Sequence, residues 1–303
     1  MGKSGKTGAA LLRILIWPIA ILPLSWSRKL GKFAGWLLGS VFHYRNYVVY
    51  SNIARSFPDM TYDQVRQAGK KSYEHLATLF CEAIWMGGHS LKEIKESHIA
   101  EVTNPELLNS LHAHGKPLYV MLSHMGNWEI LGGTCKFSYK EPLLWEEDNL
   151  VVVYLKLHNA AWDEFMKVNR KRPLDHADVH QGLVETFDVM RYAIRNRDVM
   201  KVYHFIMDQY PYSDSSKVPV KFMGRDTVSM NGAPLLAHKF GSPVVYLSMK
   251  VAEDGNYRLT YKLLAEDASQ CSTDYLLERY YELLEEDLKD QPWNYLWTHK
   301  RWK

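Results

Sequence analysis

From about residue 117 onward, short apolar runs alternate with segments of helical periodicity, and few architectures accept that order. Leu118–Leu122 is a continuous apolar run, Val151–Leu157 follows the polar stretch Glu146-Glu147-Asp148-Asn149, and Lys201–Met207 ends at Asp208. All three have strand length and read as buried strands. Helical spacing occupies Ala161–Arg170, Leu183–Arg195, Gly232 to Gly241 and Ser272 to Leu288. Val218–Met223 reads as a further strand. Pro243–Val251 and Tyr257–Leu264 flank Asp254-Gly255-Asn256, a hairpin signal. Alternating strands and helices build a parallel sheet, and a hairpin adds an antiparallel pair. The expectation is one α/β domain around a mixed sheet, with a helical N-terminal arm. No repeat, low-complexity tract or linker divides it.

Upstream of the sheet the chain looks helical. Residues 30–43 are mostly apolar and look helical, and Ser56-Phe57-Pro58-Asp59 breaks the chain further on. Thr61-x-x-Gln64 is a capping box that opens a long amphipathic helix carrying Val65, Ala68, Tyr73, Leu76 and Leu79. At the N-terminus, Ala9 to Trp26 is apolar apart from Arg13. The charge-free part, Ile14 to Leu24, falls well short of the about 20 residues of a spanning helix. Lys3, Lys6 and the apolar core resemble a secretory signal, but Ser25-Trp26-Ser27-Arg28-Lys29 is a poor cleavage site. The expectation is an uncleaved anchor over residues 1–30, spanning or interfacial, ahead of the domain at 31–303. Trp17 and Trp26 would lie near the headgroups. A buried N-terminal core helix is the alternative, and Pro18 and Pro23 weaken any single straight helix.

Composition removes other classes. Thirty-seven basic against 34 acidic side chains give a net +3, too small an excess to indicate a nucleic-acid partner. Three cysteines without a CxxC pair support neither a disulfide scaffold nor a zinc ribbon. Aromatic residues reach 13%, which suits a membrane interface, an acyl chain, a sugar or simply a large core. No G-x-S-x-G elbow, G-x-G-x-x-G loop or H-E-x-x-H helix occurs, and Gly5-Lys6-Thr7 is only a fragment of a phosphate loop. His176 and His180, with Asp175 and Asp178 nearby, imitate a metal pair but have no further ligand at a characteristic spacing. No metal and no cofactor are expected.

The segment that carries chemistry is Leu122-Ser123-His124-Met125-Gly126-Asn127-Trp128-Glu129. A strand delivers His124 at its carboxyl end, Gly126 permits a tight turn, and Glu129 opens the next helix. The turn can fold the Glu129 carboxylate onto the imidazole, fixing the tautomer and raising the basicity of the free nitrogen. Such a pair can serve as a general base on a hydroxyl, a task worth about 10²–10⁴-fold in rate. An ordinary hydrogen bond in a loop follows the same spacing. Asn127 would fix the turn or cap the helix. Asp208 ends a buried strand, where ligand sites gather in α/β sheets. It would bind a substrate hydroxyl or amide, orient a basic residue, or merely cap a turn before Pro211. Trp293, Tyr295, Trp297 and Trp302 form an interfacial edge or pack onto the domain; the sequence does not choose.

Ser-His-Met-Gly-Asn-Trp-Glu at 123–129 resembles the histidine, four residues, acidic residue motif of glycerolipid-type acyltransferases. Its ending is similar to the lipid A late acyltransferases, the lauroyl and myristoyl transferases. Arg45-x-x-Val48, Asn52-Ile53 and Phe57-Pro58 resemble that family's first block. Asp208-Gln209, Val218 to Gly224, Gly232 to Val245 and Tyr295-Leu296-Trp297-x-His299-x-Arg301 resemble later ones, in the same order. The resemblance implies a mixed-sheet acyltransferase domain of the glycerolipid type. It also implies O-acyl transfer from acyl carrier protein to an anionic lipid A precursor at the cytoplasmic side of the inner membrane; the alternatives are another glycolipid or amino lipid as acceptor, acyl-CoA as donor, or a catalytically silent lipid-binding relative. His124 would be the base and Glu129 its partner, with no acyl-enzyme, and amides near 125–127 would receive the oxyanion. One block departs. Where the family reads close to Tyr-Arg-Pro-Leu-x-Asn, this chain has Tyr154-Leu155-Lys156-Leu157-His158-Asn159. Leu155 takes the arginine's position, so Lys156, Arg170 and Arg172 become the candidate cations, and Asn127 and Asp208 complete the candidate substrate contacts.

Overall fold

A computed structural model of the chain describes residues 3–174, 182–211 and 217–303. Seven strands form one sheet, in the order β1 (Ala100–Val102), β9 (Tyr257–Ala265), β8 (Val244–Val251), β2 (Leu118–Leu122), β5 (Val202–Ile206), β3 (Leu150–Tyr154) and β4 (Leu183–Glu185). The five strands from β8 to β4 are parallel. The β8–β9 hairpin turns at the Asp-Gly-Asn signal, so β9 is antiparallel to β8, and β1 runs parallel to β9. The sheet is mixed, as the alternation predicts. A separate hairpin, β6 (Val218–Phe222) and β7 (Arg225–Ser229), turns through Met223 and Gly224. Both turn residues have positive φ, the requirement of a tight turn whose twist matches its strands.

The buried strands have apolar side chains on both faces because both faces are covered. Tyr119, Met121, Tyr203, Phe205 and Tyr246 pack with α9 (Gly232–Phe240) and α10 (Thr273–Asp290). On the other face, Leu118, Val120, Leu122 and Val245 join Trp85 and Met86 of α4 (Tyr62–Gly88) and Phe165 of α7 (Ala160–Lys171). Helix α4 opens on the expected capping box: Thr61 N donates to Gln64 Oε1 at 2.8 Å, and Gln64 N to Thr61 Oγ1 at 3.3 Å.

Three local expectations change. The Leu183–Arg195 segment is not one helix; it divides into β4 and α8 (Val189–Arg195). Gly182, at positive φ, turns the chain, and Val184 then pairs with Val153 at the sheet edge. The second strand stops at Tyr154, leaving Leu155 to Asn159 as an exposed loop. Asn159 ends that loop by capping α7, its Oδ1 accepting from Ala161 N at 3.0 Å and Trp162 N at 3.1 Å. The segment after His124 is a 3-10 helix, Trp128–Lys136, pressed so closely on α7 that a Cβ on Gly132 would collide with the Arg170 carbonyl.

At the N-terminus, α1 (Lys3–Ala20) and α2 (Leu24–Trp36) meet at a break where the chain bends by 106°. Among the described residues no single helix is long and apolar enough to cross a membrane; only this bent pair passes by length and composition. Proline accounts for the break, with Pro18 inside α1 and Pro23 before α2. Glycines seat both helices. Gly5 and Gly8 face Ala160 and Ala161 of α7, and Gly31 and Gly35 lie against the α4 backbone at Thr78 and Glu74. The opposite faces expose Ile14, Leu15, Trp17, Trp26, Phe33 and Trp36.

Two buried histidines make this fold acid-sensitive. Burial pushes both His75 and His204 down to about 4. Neither ring nitrogen of His204 has a hydrogen-bond partner. Both residues are neutral in the fold, whereas an unfolded histidine titrates near about 6.5. Their contribution is therefore complete above that value. It is lost as pH falls toward 4, by up to about 3 kcal/mol per histidine. Unfolding measured at pH 7.5 and 5.0 should show a larger drop for the wild type than for His204→Leu. Equal drops in the two proteins would refute this assignment.

Candidate active site

The register of β2 against β5 builds the site. Leu118 pairs with Val202 and Leu122 with Ile206, a constant offset carried onward when Met207 N donates to Leu122 O at 2.9 Å. The same offset sets His124 beside Asp208. Asp208 Oδ1 accepts from the backbone N–H of His124 at 2.9 Å and lies 2.8 Å from the ring Nδ1. A carboxylate only accepts, so Nδ1 carries the hydrogen. The Asp208 side chain is 2% exposed and that of His124 15%, so the imidazole alone of the two reaches outward. Burial would raise the Asp208 carboxyl, but the His124 charge and hydrogen bonds from His124 and Tyr295 outweigh it and hold it below the ordinary range.

The turn that aims His124 is braced from below. Gly126 has positive φ, and a Cβ there would collide with Met249. Its N–H donates to Asn294 Oδ1 at 2.8 Å, and its carbonyl lies 3.1 Å from His75 Nε2. Leu296 N donates to His124 O at 3.1 Å, and Trp128 meets the imidazole edge-on at 5.0 Å. Gln209 brings its amide nitrogen to 3.1 Å from His124 Nε2. His299 accepts from Tyr210 N at 3.2 Å, and burial pushes its ring down to about 4 despite the pull of Asp208.

Glu129 is not the partner of His124. Its carboxylate forms a two-pronged pair with Arg170, Oε2 to Nε at 2.6 Å and Oε1 to Nη2 at 3.0 Å. The cause is the 3-10 helix, whose contact with α7 carries Glu129 to Arg170. Burial opposes the Arg170 charge, but Glu129 outweighs it and raises Arg170 further. Asn127 is likewise committed to the fold. Fully buried, it donates to Glu82 Oε2 at 2.9 Å and accepts from Glu129 N at 3.1 Å, capping the 3-10 helix. A substrate contact through Asn127 is therefore corrected to a structural one. The Gly126 amide is taken by Asn294, and the Asn127 amide lies 3.0 Å from Met249 Sδ, so neither is free for an oxyanion.

The other candidate cations scatter. Lys156 is exposed in the loop after β3, outside any strand. Arg172 is exposed at the end of α7, where Nε donates to His89 O at 3.1 Å and ties α7 to α4. His176, His180, Asp175 and Asp178 lie outside the described residues, and among the described ones no group of three or more potential ligands gathers. Tyr295 and Trp297 are buried, which settles that part of the C-terminal aromatic cluster as packing. Sequence reasoning missed Glu82, a fully buried carboxylate held by Arg28 Nε at 2.7 Å, Tyr257 OH at 2.7 Å and Asn127. It carried no local signal, because its partners come from three distant segments.

A partly exposed imidazole oriented by a buried carboxylate, at the carboxyl ends of a mixed sheet's central strands, is an arrangement that can take a proton from an oxygen nucleophile. The family model for bacterial lipid A biosynthesis acyltransferases matches residues 5–303. The chain belongs to this family and is an acyltransferase. A comparison with curated proteins gave no match.

The Glu129–Arg170 geometry has a measurable consequence. Removing one member of a buried pair leaves an uncompensated charge, which costs about 3–5 kcal/mol, whereas an apolar replacement of both is far milder. Glu129→Ala and Arg170→Ala should each destabilise by about that amount. The double variant Glu129→Leu/Arg170→Met should recover most of it in denaturant unfolding. A Glu129→Ala protein as stable as the wild type would refute a structural role for the pair.

Proposed function

We propose that this acyltransferase moves a fatty acyl chain from acyl carrier protein to a hydroxyl of a lipid A precursor, with His124 as general base and Asp208 as the group that orients it. The observation that carries this reading is the bond between His124 Nδ1 and buried Asp208, which leaves Nε2 with its lone pair. The acceptor hydroxyl gives its proton to Nε2 as its oxygen attacks the thioester carbonyl. The new C–O bond forms a tetrahedral intermediate; the C–S bond then breaks, and the leaving thiolate recovers the proton from His124. Asp208 stabilises the imidazolium between the two steps. The cysteines do not compete as nucleophiles. Burial raises all three thiols, Cys135 to about 11, so each stays protonated at neutral pH.

The reading extends to a membrane surface. The exposed side chains of α1 and α2 form an apolar face, with Ile14 at 70% and Leu15 at 75% exposure. Leu155, Leu157 and Trp162 are also exposed, in the loop before α7 and on α7 itself, the helix on which α1 rests. That loop follows the carboxyl end of β3, the same end of the parallel sheet that bears His124 and Asp208. An interfacial helix pair would thus hold the His124 end of the domain at the bilayer, with Lys156 among the leucines to meet an anionic headgroup. A carrier-protein donor sets the catalytic domain on the cytoplasmic side of the inner membrane.

The test is purified protein with labelled acyl carrier protein and lipid A precursor. His124→Ala should fold normally and lose transfer by at least about 10²-fold. Full activity in a folded His124→Ala protein would defeat the mechanism. Mass analysis of the product from a total lipid extract, with acyl-CoA as the alternative donor, identifies acceptor and donor independently.

A further inference from the structure

We propose that Gln209 is a positioning residue that occupies the lone pair of His124 and keeps the base from water until the acceptor hydroxyl displaces it. This inference rests on the reading of His124 as general base. The carboxamide nitrogen of Gln209 lies 3.1 Å from His124 Nε2, the ring nitrogen that Asp208 does not hold. The polarity of that contact follows from its neighbour. Asp208 accepts the Nδ1 hydrogen, so Nε2 of the neutral ring is an acceptor and the Gln209 N–H must be the donor. The two residues are adjacent in the chain, so one strand end both orients the imidazole and caps it. Their burial differs in the sense the proposal needs. Asp208 is buried, whereas Gln209 is only half-buried.

The chemistry gives such a cap a purpose. Water at an uncovered Nε2 would undergo the same bond changes as the lipid hydroxyl. Its proton would pass to Nε2, a C–O bond would form, the C–S bond would break, and the thiolate would recover the proton. The product would be free fatty acid, and the thioester would be wasted. An acceptor lipid has other contacts whose binding energy can displace the amide, whereas a lone water has none. Gln209 therefore biases the base toward the bound acceptor without touching either substrate.

The experiment uses the full chain with a lauroyl thioester of acyl carrier protein, with and without acceptor lipid, reading fatty acid release and ester formation separately. Gln209→Leu, which removes the donor at similar size, should raise acceptor-free release by about two- to tenfold, the range of one net hydrogen bond. Ester formation should change less. Gln209→Met serves the same purpose if the leucine variant misfolds. Gln209→Glu offers only acceptors, holds a proton on Nε2, and should lower both products at least about tenfold. A merely structural role would move both products together. Unchanged partition in Gln209→Leu, or wild-type rates in Gln209→Glu, would overturn the cap. The same assay on His124→Ala separates the two readings. If that variant keeps both activities, the base assignment fails; if it is inactive while Gln209→Leu partitions normally, only the cap fails.

Discussion

The parallel pairing of β2 with β5 is the constraint on which the rest depends. Two adjacent parallel strands advance together, so any side chain just beyond one strand end meets the residue at the same offset beyond the other. Here the pairs run from Leu118–Val202 to Leu122–Ile206, and their continuation is His124 beside Asp208. A slip of one residue would turn each side chain to the other face and separate the pair. Apolar side chains on both faces of both strands hold the register, and hydrogen bonds to Leu122 O from Met207 N and the Tyr280 hydroxyl, each at 2.9 Å, hold the last step.

Register alone does not aim an imidazole. The turn from Met125 to Trp128 is fixed by a set of buried polar groups that bond to one another. Glu82 gathers Arg28, Asn127 and Tyr257; Asn127 caps the 3-10 helix; Asn294 holds the Gly126 amide. Glu129 and Arg170 clamp that helix to α7. Unmatched, any of these groups would be costly at this depth, so the partners must be present together. The acidic residue of the His124 motif therefore pairs with the scaffold rather than with the imidazole. It keeps the turn in shape, and the carboxylate that meets the ring comes from another strand.

Much of the fold was legible because the chain signals it locally. The alternation of strands and helices, the Thr61–Gln64 capping box and the Asp-Gly-Asn hairpin all involve neighbours in sequence. The failures are non-local. Glu129 looked like the partner of His124 because it lies five residues away, yet the contact that forms spans 84. Asp208 did carry a usable signal, an acidic residue closing a buried strand, and one of its readings was to orient a basic residue. Pairing it with His124 required knowing that β2 and β5 are neighbours, which periodicity does not tell. The Leu183–Arg195 segment kept a helical pattern, and only sheet-edge pairing at Val184 turned its start into a strand. The apolar run Val151–Leu157 predicts a strand that includes Lys156, but β3 ends two residues before it.

The central claim is that Asp208, and not Glu129, makes His124 a base. Asp208→Asn keeps the size and the ability to accept from the His124 amide while removing the negative charge. It is best compared with the stability-compensated Glu129→Leu/Arg170→Met protein in single-turnover acyl transfer. Transfer should fall by at least about 10²-fold in Asp208→Asn and by much less in the folded Glu129/Arg170 variant. Near-normal transfer by Asp208→Asn, with the compensated variant inactive though folded, would contradict the claim.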